Sequence, residues 1–166
     1  KKMSIDIDEM EGMLNNYLQF AKSQIQEEST AINVKEFFQE IRKNKNNKNL
    51  HFDLNSFEEI VLVARKTALM RCFNNIIENA LNYGKNAYIK ILKSKNNFVV
   101  TIDDDGPGIP VNQYKNVFKP FFRLDKGRNL NHSGVGLGLS IAEDIVRSHG
   151  GNIQLGDSKY KGLQVK

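Results

Sequence analysis

The chain has 166 residues, room for one ordinary domain and a short appendage but not for two full domains. With 40% hydrophobic and 26% charged residues, ten Phe and five Tyr, it can bury a core, which excludes the disordered and collagen-like classes. The excess of 24 Lys+Arg over 19 Asp+Glu, a net charge of +5, favours an anionic ligand. The longest apolar run, Ile60 to Ala64, falls far below the ~20 residues that cross a bilayer, and no signal-like hydrophobic block opens the chain.

From the N-terminus, Met10, Met13, Leu14, Tyr17, Leu18, Ala21 and Ile25 form a stripe close to the helical period, broken only by Gly12, which predicts a helix over residues 1 to about 28. Such a stripe needs a cover, so a partner helix or a second chain is expected. A short helix is predicted over Val34 to Ile41, followed by a turn in Lys43-Asn-Lys-Asn-Asn-Lys48. That basic stretch has no aromatic side chain for stacking on bases and reads as a solvated turn rather than a nucleic-acid patch. Leu50 to Leu54 and Ile60 to Val63 are strand-like.

Leu69, Phe73, Ile76, Ile77 and Ala80 recur at helical spacing and Gly84 stands where a helix stops, predicting a helix from about Thr67 to Tyr83. Cys72, the single cysteine, forms no internal disulfide and agrees with a reducing compartment. Tyr88 to Lys93 and Phe98 to Ile102 read as a hairpin joined by Ser94 to Asn97, and its second strand runs into the turn signal Asp103-Asp-Asp-Gly-Pro-Gly108. A mostly irregular segment extends to Gly138, followed by a helix from about Leu139 to His149, a stop at Gly150-Gly151, and final strands around Ile153, Leu155, Leu163 and Val165. Helices and strands are mixed rather than alternating. The prediction is therefore an α+β fold, a two-layer sandwich with a mixed sheet packed on helices.

Three polar constellations carry chemistry. Asn75, Asn79 and Asn82 lie at i, i+4 and i+7 of one helix, so three amides project along one line; they either decorate a solvated face or present a hard-cation ligand to Mg²⁺. Asp104, with Gly106 and Gly108 after it, puts a carboxylate at a strand end where a ligand can approach the backbone, and such a carboxylate can accept from an exocyclic amine. The bland alternative there is a tight turn; an EF-hand loop is excluded because Thr101 and Asn112 stand where ligands are needed. Gly134-Val135-Gly136-Leu137-Gly138 leads directly into a helix whose N-terminal N–H groups suit an anion. It matches neither the dinucleotide fingerprint nor a P-loop.

In order and spacing, Asn75-Ile-Ile-Glu-Asn79-Ala80, Asp104-Asp-Gly106-Pro-Gly108-Ile109, Phe118-Lys-Pro-Phe121-Phe122-Arg123 and Gly134-Val135-Gly136-Leu137-Gly138-Leu139 resemble the N, G1, F and G2 boxes of the catalytic ATP-binding domain of sensor histidine kinases. The resemblance covers residues 30–166. Residues 1–28 look like the second helix of that family's dimerisation and phosphotransfer domain, and the Asp-Asp-Gly-Pro-Gly-Ile run looks most like the EnvZ osmosensor branch.

The resemblance implies a Bergerat fold binding ATP and Mg²⁺. Asn79 would ligate the metal, Asn75 would contact the phosphates or their waters as the second catalytic residue, and Tyr83 would pack on the adenine. Asp104 would bind adenine N6, with Gly106, Gly108 and Ile109 shaping the base pocket. The glycine run with Val135, Leu137 and Leu139 would hold the phosphates at the end of a lid from about Asn112 to Ser133. Phe118, Phe121 and Phe122 would stand at its base, and of Arg123, Lys126 and Arg128 in that lid one would reach the γ-phosphate. Where many members carry Lys or Arg this chain has Asn82, so one phosphate contact is absent or comes from Lys85.

Related gyrase, Hsp90 and MutL ATPases place a water-activating Glu one turn before the Mg²⁺ Asn. Here that position is Asn75, which cannot accept the proton, and Glu78 is about 100° around the helix from Asn79. The site is thus expected to position ATP for transfer to an outside nucleophile. Neither His51, His132 nor His149 has the acidic-x-x-x-Pro context of the family's phosphoacceptor, so the acceptor helix is expected to be absent and the isolated chain not to autophosphorylate. Implied partners are a dimerisation domain of the same kinase, homodimeric in the full protein, and a response regulator; the implied location is the cytoplasmic portion of an inner-membrane kinase. The alternatives are an anti-sigma-type serine kinase on the same fold and a degenerate module that binds no ATP.

Overall fold

The computed structural model describes residues 27–53, 60–94, 97–124 and 136–166; the opening helix predicted from the apolar stripe falls on residues outside them. In chain order the elements are β1 (Thr30–Asn33), α1 (Val34–Lys45), β2 (Leu50–Asp53), β3 (Val61–Ala64), α2 (Lys66–Tyr83), β4 (Ala87–Ser94) and β5 (Asn97–Asp104). A 3-10 turn (Val111–Gln113), α3 (Gly138–Ser148), β6 (Leu155–Asp157) and β7 (Leu163–Val165) complete them. β1 and β3 form a two-stranded antiparallel sheet. The other five strands form a mixed sheet in the order β2-β4-β5-β7-β6, with β2 parallel to β4 and every other pair antiparallel.

The helices lie on one face of that sheet because their apolar stripes match the period-2 pattern of the strands. α1 buries Val34, Phe37, Phe38 and Ile41, and α2 buries Ala68, Leu69, Cys72, Phe73, Ile76, Ile77 and Ala80. α3 contributes Ile141, Ala142 and Ile145. Opposite them Ile89, Ile102 and Val165 stand in register across β4, β5 and β7. Three Phe rings knot α1 to α2, with Phe38 and Phe73 centroids 4.8 Å apart and nearly edge-on.

α1 runs through Lys45, past the predicted end at Ile41, so the Lys43 to Lys48 turn begins later than its composition suggests. Its Asn33 side chain caps the Glu36 N–H at 3.2 Å, the basic residues Arg42, Lys43 and Lys45 sit in the last turn where the helix dipole favours them, and Asn46 closes it in the left-handed region. The remaining predicted elements appear within one to three residues of their expected ends, and β1 is an addition.

α2 has no side-chain cap of its own. Glu27, ahead of β1, fills that role: its carboxylate accepts the Thr67 N–H through one oxygen and the Ala68 N–H at 3.0 Å through the other. A carboxylate there satisfies two orphan donors and the helix dipole together. At the far end of α3, His149 Nδ1 bonds the Ile145 carbonyl at 2.7 Å and Nε2 accepts the Arg65 N–H at 3.2 Å, so His149 pins that end to the start of α2 in its neutral Nδ1–H form. Cys72 is fully buried against α3, and burial pushes its thiol up to about 12.

Candidate functional site

A cavity of about 1750 Å³ opens beside α2, walled by the first residues of α3, the exit of β5 and the inner end of β7. Asn75, Asn79, Asn82, Tyr83, Asp104, Gly108, Ile109, Arg123, Gly136, Leu137, Gly138 and Leu139 all line it. Three residues expected at the site, Gly106, Phe118 and Phe121, are not among its walls, nor is Lys85. Phe121 is 57% exposed and left-handed (φ 64°), and Phe122 takes the inward place instead. Lys126, Arg128, Gly134 and Val135 lie outside the described residues.

At one end of the cavity stands Asp104, 5% exposed. Its Oδ1 accepts two backbone N–H groups, Gly106 at 2.9 Å and Leu163 at 3.0 Å. Its Oδ2 has no hydrogen bond among the described residues and is the oxygen left to accept from a ligand. Burial pushes this carboxyl above the ordinary carboxylate range; the Leu163 and Gly106 N–H groups work against that shift, and repulsion from Asp105 and Asp103 adds to it. Gly106 has a packing reason to be glycine, since a Cβ there would lie 2.7 Å from the Tyr83 carbonyl oxygen. Gly108 instead needs its positive φ of 71°.

Along the cavity Asn75 and Asn79 face Gly138, whose Cβ position is 3.4 Å from Asn79 Nδ2 and 3.7 Å from Asn75 Cβ. Asn82 is exposed at the rim. Among the described residues Asn75 Nδ2 is the one buried side-chain polar atom without a hydrogen-bond partner, an unused donor of the kind an anionic oxygen satisfies. Gly136 is required by its surroundings: φ is 76°, and a Cβ would lie 2.9 Å from the Phe122 carbonyl oxygen. Its own carbonyl accepts the Phe121 N–H at 2.9 Å. Glu78, at the cavity edge, is held by Lys45 at 2.8 Å. No cluster of three or more His, Cys, Asp or Glu suited to a metal occurs among the described residues. The donor set fits a hard cation held through the Asn79 amide oxygen and otherwise by phosphates and waters.

Sequence reasoning missed two sets of residues here. Thr67 and Arg71 extend the Asn75–Asn79 row backwards at the same i, i+4 spacing and line the cavity, so that spacing could have found them. Leu163, whose N–H holds Asp104 from 59 positions away, and Gly162, packed closely against that carboxylate, left no local signal.

An α+β sandwich with such a cavity on the helical side of its mixed sheet is the Bergerat ATP-binding class. Residues 64–166 match the model of the histidine kinase-, DNA gyrase B-, and HSP90-like ATPase family, and the chain belongs to that family, as an ATP-binding catalytic domain of the sensor histidine kinase kind. It is 40% identical over 98 residues to the sensor histidine kinase GtrS of Pseudomonas aeruginosa, 59% of this chain and 20% of that one. It is 28% identical to the sensor protein kinase WalK of Staphylococcus haemolyticus over 98% of its length and 29% of the relative's. The solved histidine kinase domain of the Escherichia coli osmosensor EnvZ superposes with a TM-score of 0.63 at 29% identity, covering 85% of this chain and 88% of that one. The chain thus spans a fifth to less than a third of the length of these curated relatives. No helix of the described residues is long and apolar enough to cross a membrane.

Proposed function

We propose that the cavity binds Mg-ATP and presents its γ-phosphoryl group to a histidine on a separate dimerisation-domain helix, as the catalytic part of a protein-histidine kinase that passes the group to a response regulator. The observation that carries this reading is the placing of a half-satisfied buried carboxylate, Asp104, and the Asn75–Asn79 row on the walls of one cavity. Asp104 Oδ2 accepts the adenine amino group, with Tyr83, Gly108 and Ile109 around the base. Asn75 Nδ2 donates to a phosphate oxygen or its water, Asn79 ligates Mg²⁺, and the α3 N-terminus with Gly136 and Gly138 faces the phosphates. A magnesium ion held there by Asn79 would supply neutralisation of phosphate charge.

Water is not the acceptor in this reading. Asn75 stands where a hydrolase of this fold carries its base, and Glu78 is occupied by Lys45. His149 and His51 are also committed, the first to Ile145 and Arg65, the second to Asn86 at 3.2 Å and to the Tyr88 ring at 4.8 Å. His132, outside the described residues, lacks the sequence context of a phosphoacceptor, and together these support an acceptor histidine on another helix. Residues 1–28 are read as the second dimerisation helix and 30–166 as the catalytic domain, supported by the WalK likeness, which runs across both. The Asp-Asp-Gly-Pro-Gly-Ile run and the EnvZ likeness favour an osmosensor-type branch. The parent is read as an inner-membrane kinase with this part in the cytoplasm.

Calorimetric titration with a non-hydrolysable ATP analogue tests the site. Binding is expected to strengthen with Mg²⁺, and Asn79→Ala is expected to lose about tenfold or more in affinity, ~1.4 kcal/mol, together with the Mg²⁺ dependence. Absence of binding in the unaltered chain would instead favour the degenerate module.

The raised Asp104 carboxyl adds a pH dependence. Because its folded pKa exceeds the unfolded one, ionising it costs stability as pH rises through the folded value, and protonating it removes the acceptor the adenine amine needs. Affinity should therefore fall on acidification, beginning at a higher pH than an ordinary carboxylate near ~3.9 would allow. Asp104→Asn should bind more weakly and lack that component of the profile. A wild-type profile identical in shape to the variant's would count against Asp104 as the base acceptor.

A further inference from the structure

We propose that Asp105, the neighbour of the base-reading carboxylate, is a positioning residue that sets where Asp104 stands relative to α2 and thereby how strictly the site selects a 6-amino purine. The inference rests on the ATP-site reading and extends it to a residue that touches no part of the nucleotide.

Asp104, the last residue of β5, lines the cavity, while Asp105, the first residue past the strand, does not and turns instead to the end of α2. There its Oδ1 accepts the Lys85 N–H at 2.7 Å and the Asn86 N–H at 2.8 Å, and its Oδ2 accepts Asn86 Nδ2 at 2.8 Å. These donors lie in a gap of the main-chain pattern. The last bond of α2 is Gly84 N–H to Ala80, and the β4–β5 ladder begins at Ala87 opposite Asp104. Asp105 spans that gap, and its bonds, the Asn86 side chain's first, hold its carboxyl below the usual carboxylate range.

The fit at this joint is close on both sides. A Cβ on Gly84 would lie 2.7 Å from Asp105 Oδ1, and one on Gly106 would lie 2.7 Å from the Tyr83 carbonyl. Asn86 is fixed in turn by His51, whose Nε2 donates to Asn86 Oδ1 at 3.2 Å. Asp104 and the residues Asn79, Asn82 and Tyr83 thus belong to two elements that Asp105 ties together at this joint. Without the Asp105 bonds the β5 exit could shift against α2, and an acceptor aimed at an amino group would tolerate other groups there.

The test compares affinities of the intact 166-residue chain for ATP and for inosine triphosphate, which carries an oxo group in place of the 6-amino group, alongside a thermal melt of each protein. The wild type should prefer ATP. Asp105→Ala should narrow the preference about tenfold, since a site built to receive a donor discriminates only while it is held in place. Asp105→Asn should also narrow it, because an amide NH₂ would confront Asn86 Nδ2. Combining Asp105→Asn with Asn86→Asp exchanges acceptor and donor and should restore the preference even if the melting temperature stays low. A role in stability alone would lower the melting temperature of these variants and leave the ATP to inosine triphosphate ratio unchanged, which overturns the proposal. A wild type that binds ATP without preference, or not at all, overturns the ATP-site reading itself.

Discussion

Gly162→Ala is expected to destroy the nucleotide site and cost roughly 3 kcal/mol of stability or more, although Gly162 is not among the cavity's walls. A Cβ on Gly162 would stand 2.0 Å from Asp104 Oδ1, 2.4 Å from the Asp104 carbonyl oxygen and 2.6 Å from the Gly106 nitrogen. Two of these atoms are backbone, and the third is the carboxylate oxygen already tied to the Gly106 and Leu163 N–H groups, so no flexible side-chain end can give way. The clash can be relieved only by moving β7 from β5 or by turning the Asp104 carboxylate out of its two bonds. The first breaks the Ile102–Val165 and Asp103–Gln164 pairing, and the second displaces the carboxylate proposed to accept from the base. Gly156→Ala in the preceding strand is the control, because nothing lies within 4 Å of its Cβ position. Melting temperature and ATP-analogue titration of both variants decide the matter: equal binding by Gly162→Ala and the unaltered chain would show that Asp104 is not held as described.

The largest effect on stability without any direct effect on the site belongs to Phe38→Ala. Phe38 is 1% exposed and meets Phe37, Phe73 and Phe52 at centroid distances of 5.3, 4.8 and 6.4 Å. Truncation removes a ring that α1, α2 and β2 share, and such cavities cost about 3–5 kcal/mol, a large part of the ~5–15 kcal/mol that holds an ordinary domain together. The expected fall in melting temperature is roughly 6–20 °C. Affinity for the nucleotide at a temperature where the variant remains folded should stay within about twofold of the wild type, because none of the four rings lines the cavity. A fall of only a degree or two would mean that the ring knot is not the joint between α1 and α2.

The parts of this molecule legible in its sequence are those fixed by near neighbours. The α2 pattern announced itself because Leu69, Phe73, Ile76, Ile77 and Ala80 keep one period, and the three Asn residues share the opposite rhythm. Asp104 could be picked out because two glycines follow it within four positions. The tail of α1 was hidden because Lys and Asn dominate it, whereas its stability comes from the buried face of Phe37, Phe38 and Ile41 and from charge at its end. β1 was missed because its partner is β3, on the far side of α1 and β2. Asp105 reads as an ordinary turn residue and Gly162 carries no signal at all, since what constrains them arrives from the end of α2 and from β5, and no window of sequence contains both sides.

The carboxylate of Glu27 on the first turn of α2 places the edge of the folding unit. The family match begins at residue 64, yet the helix that carries the Asn row is finished by a side chain 40 positions before its own first turn. A chain trimmed to the matched region would retain every residue of the G1 turn and the Asn row. It would lose β1, α1 with its Phe pair, and the partner of the Thr67 and Ala68 N–H groups. The span that heredity preserves as a pattern and the span that closes as a physical object are therefore different lengths of the same polypeptide, and the second starts no later than Glu27.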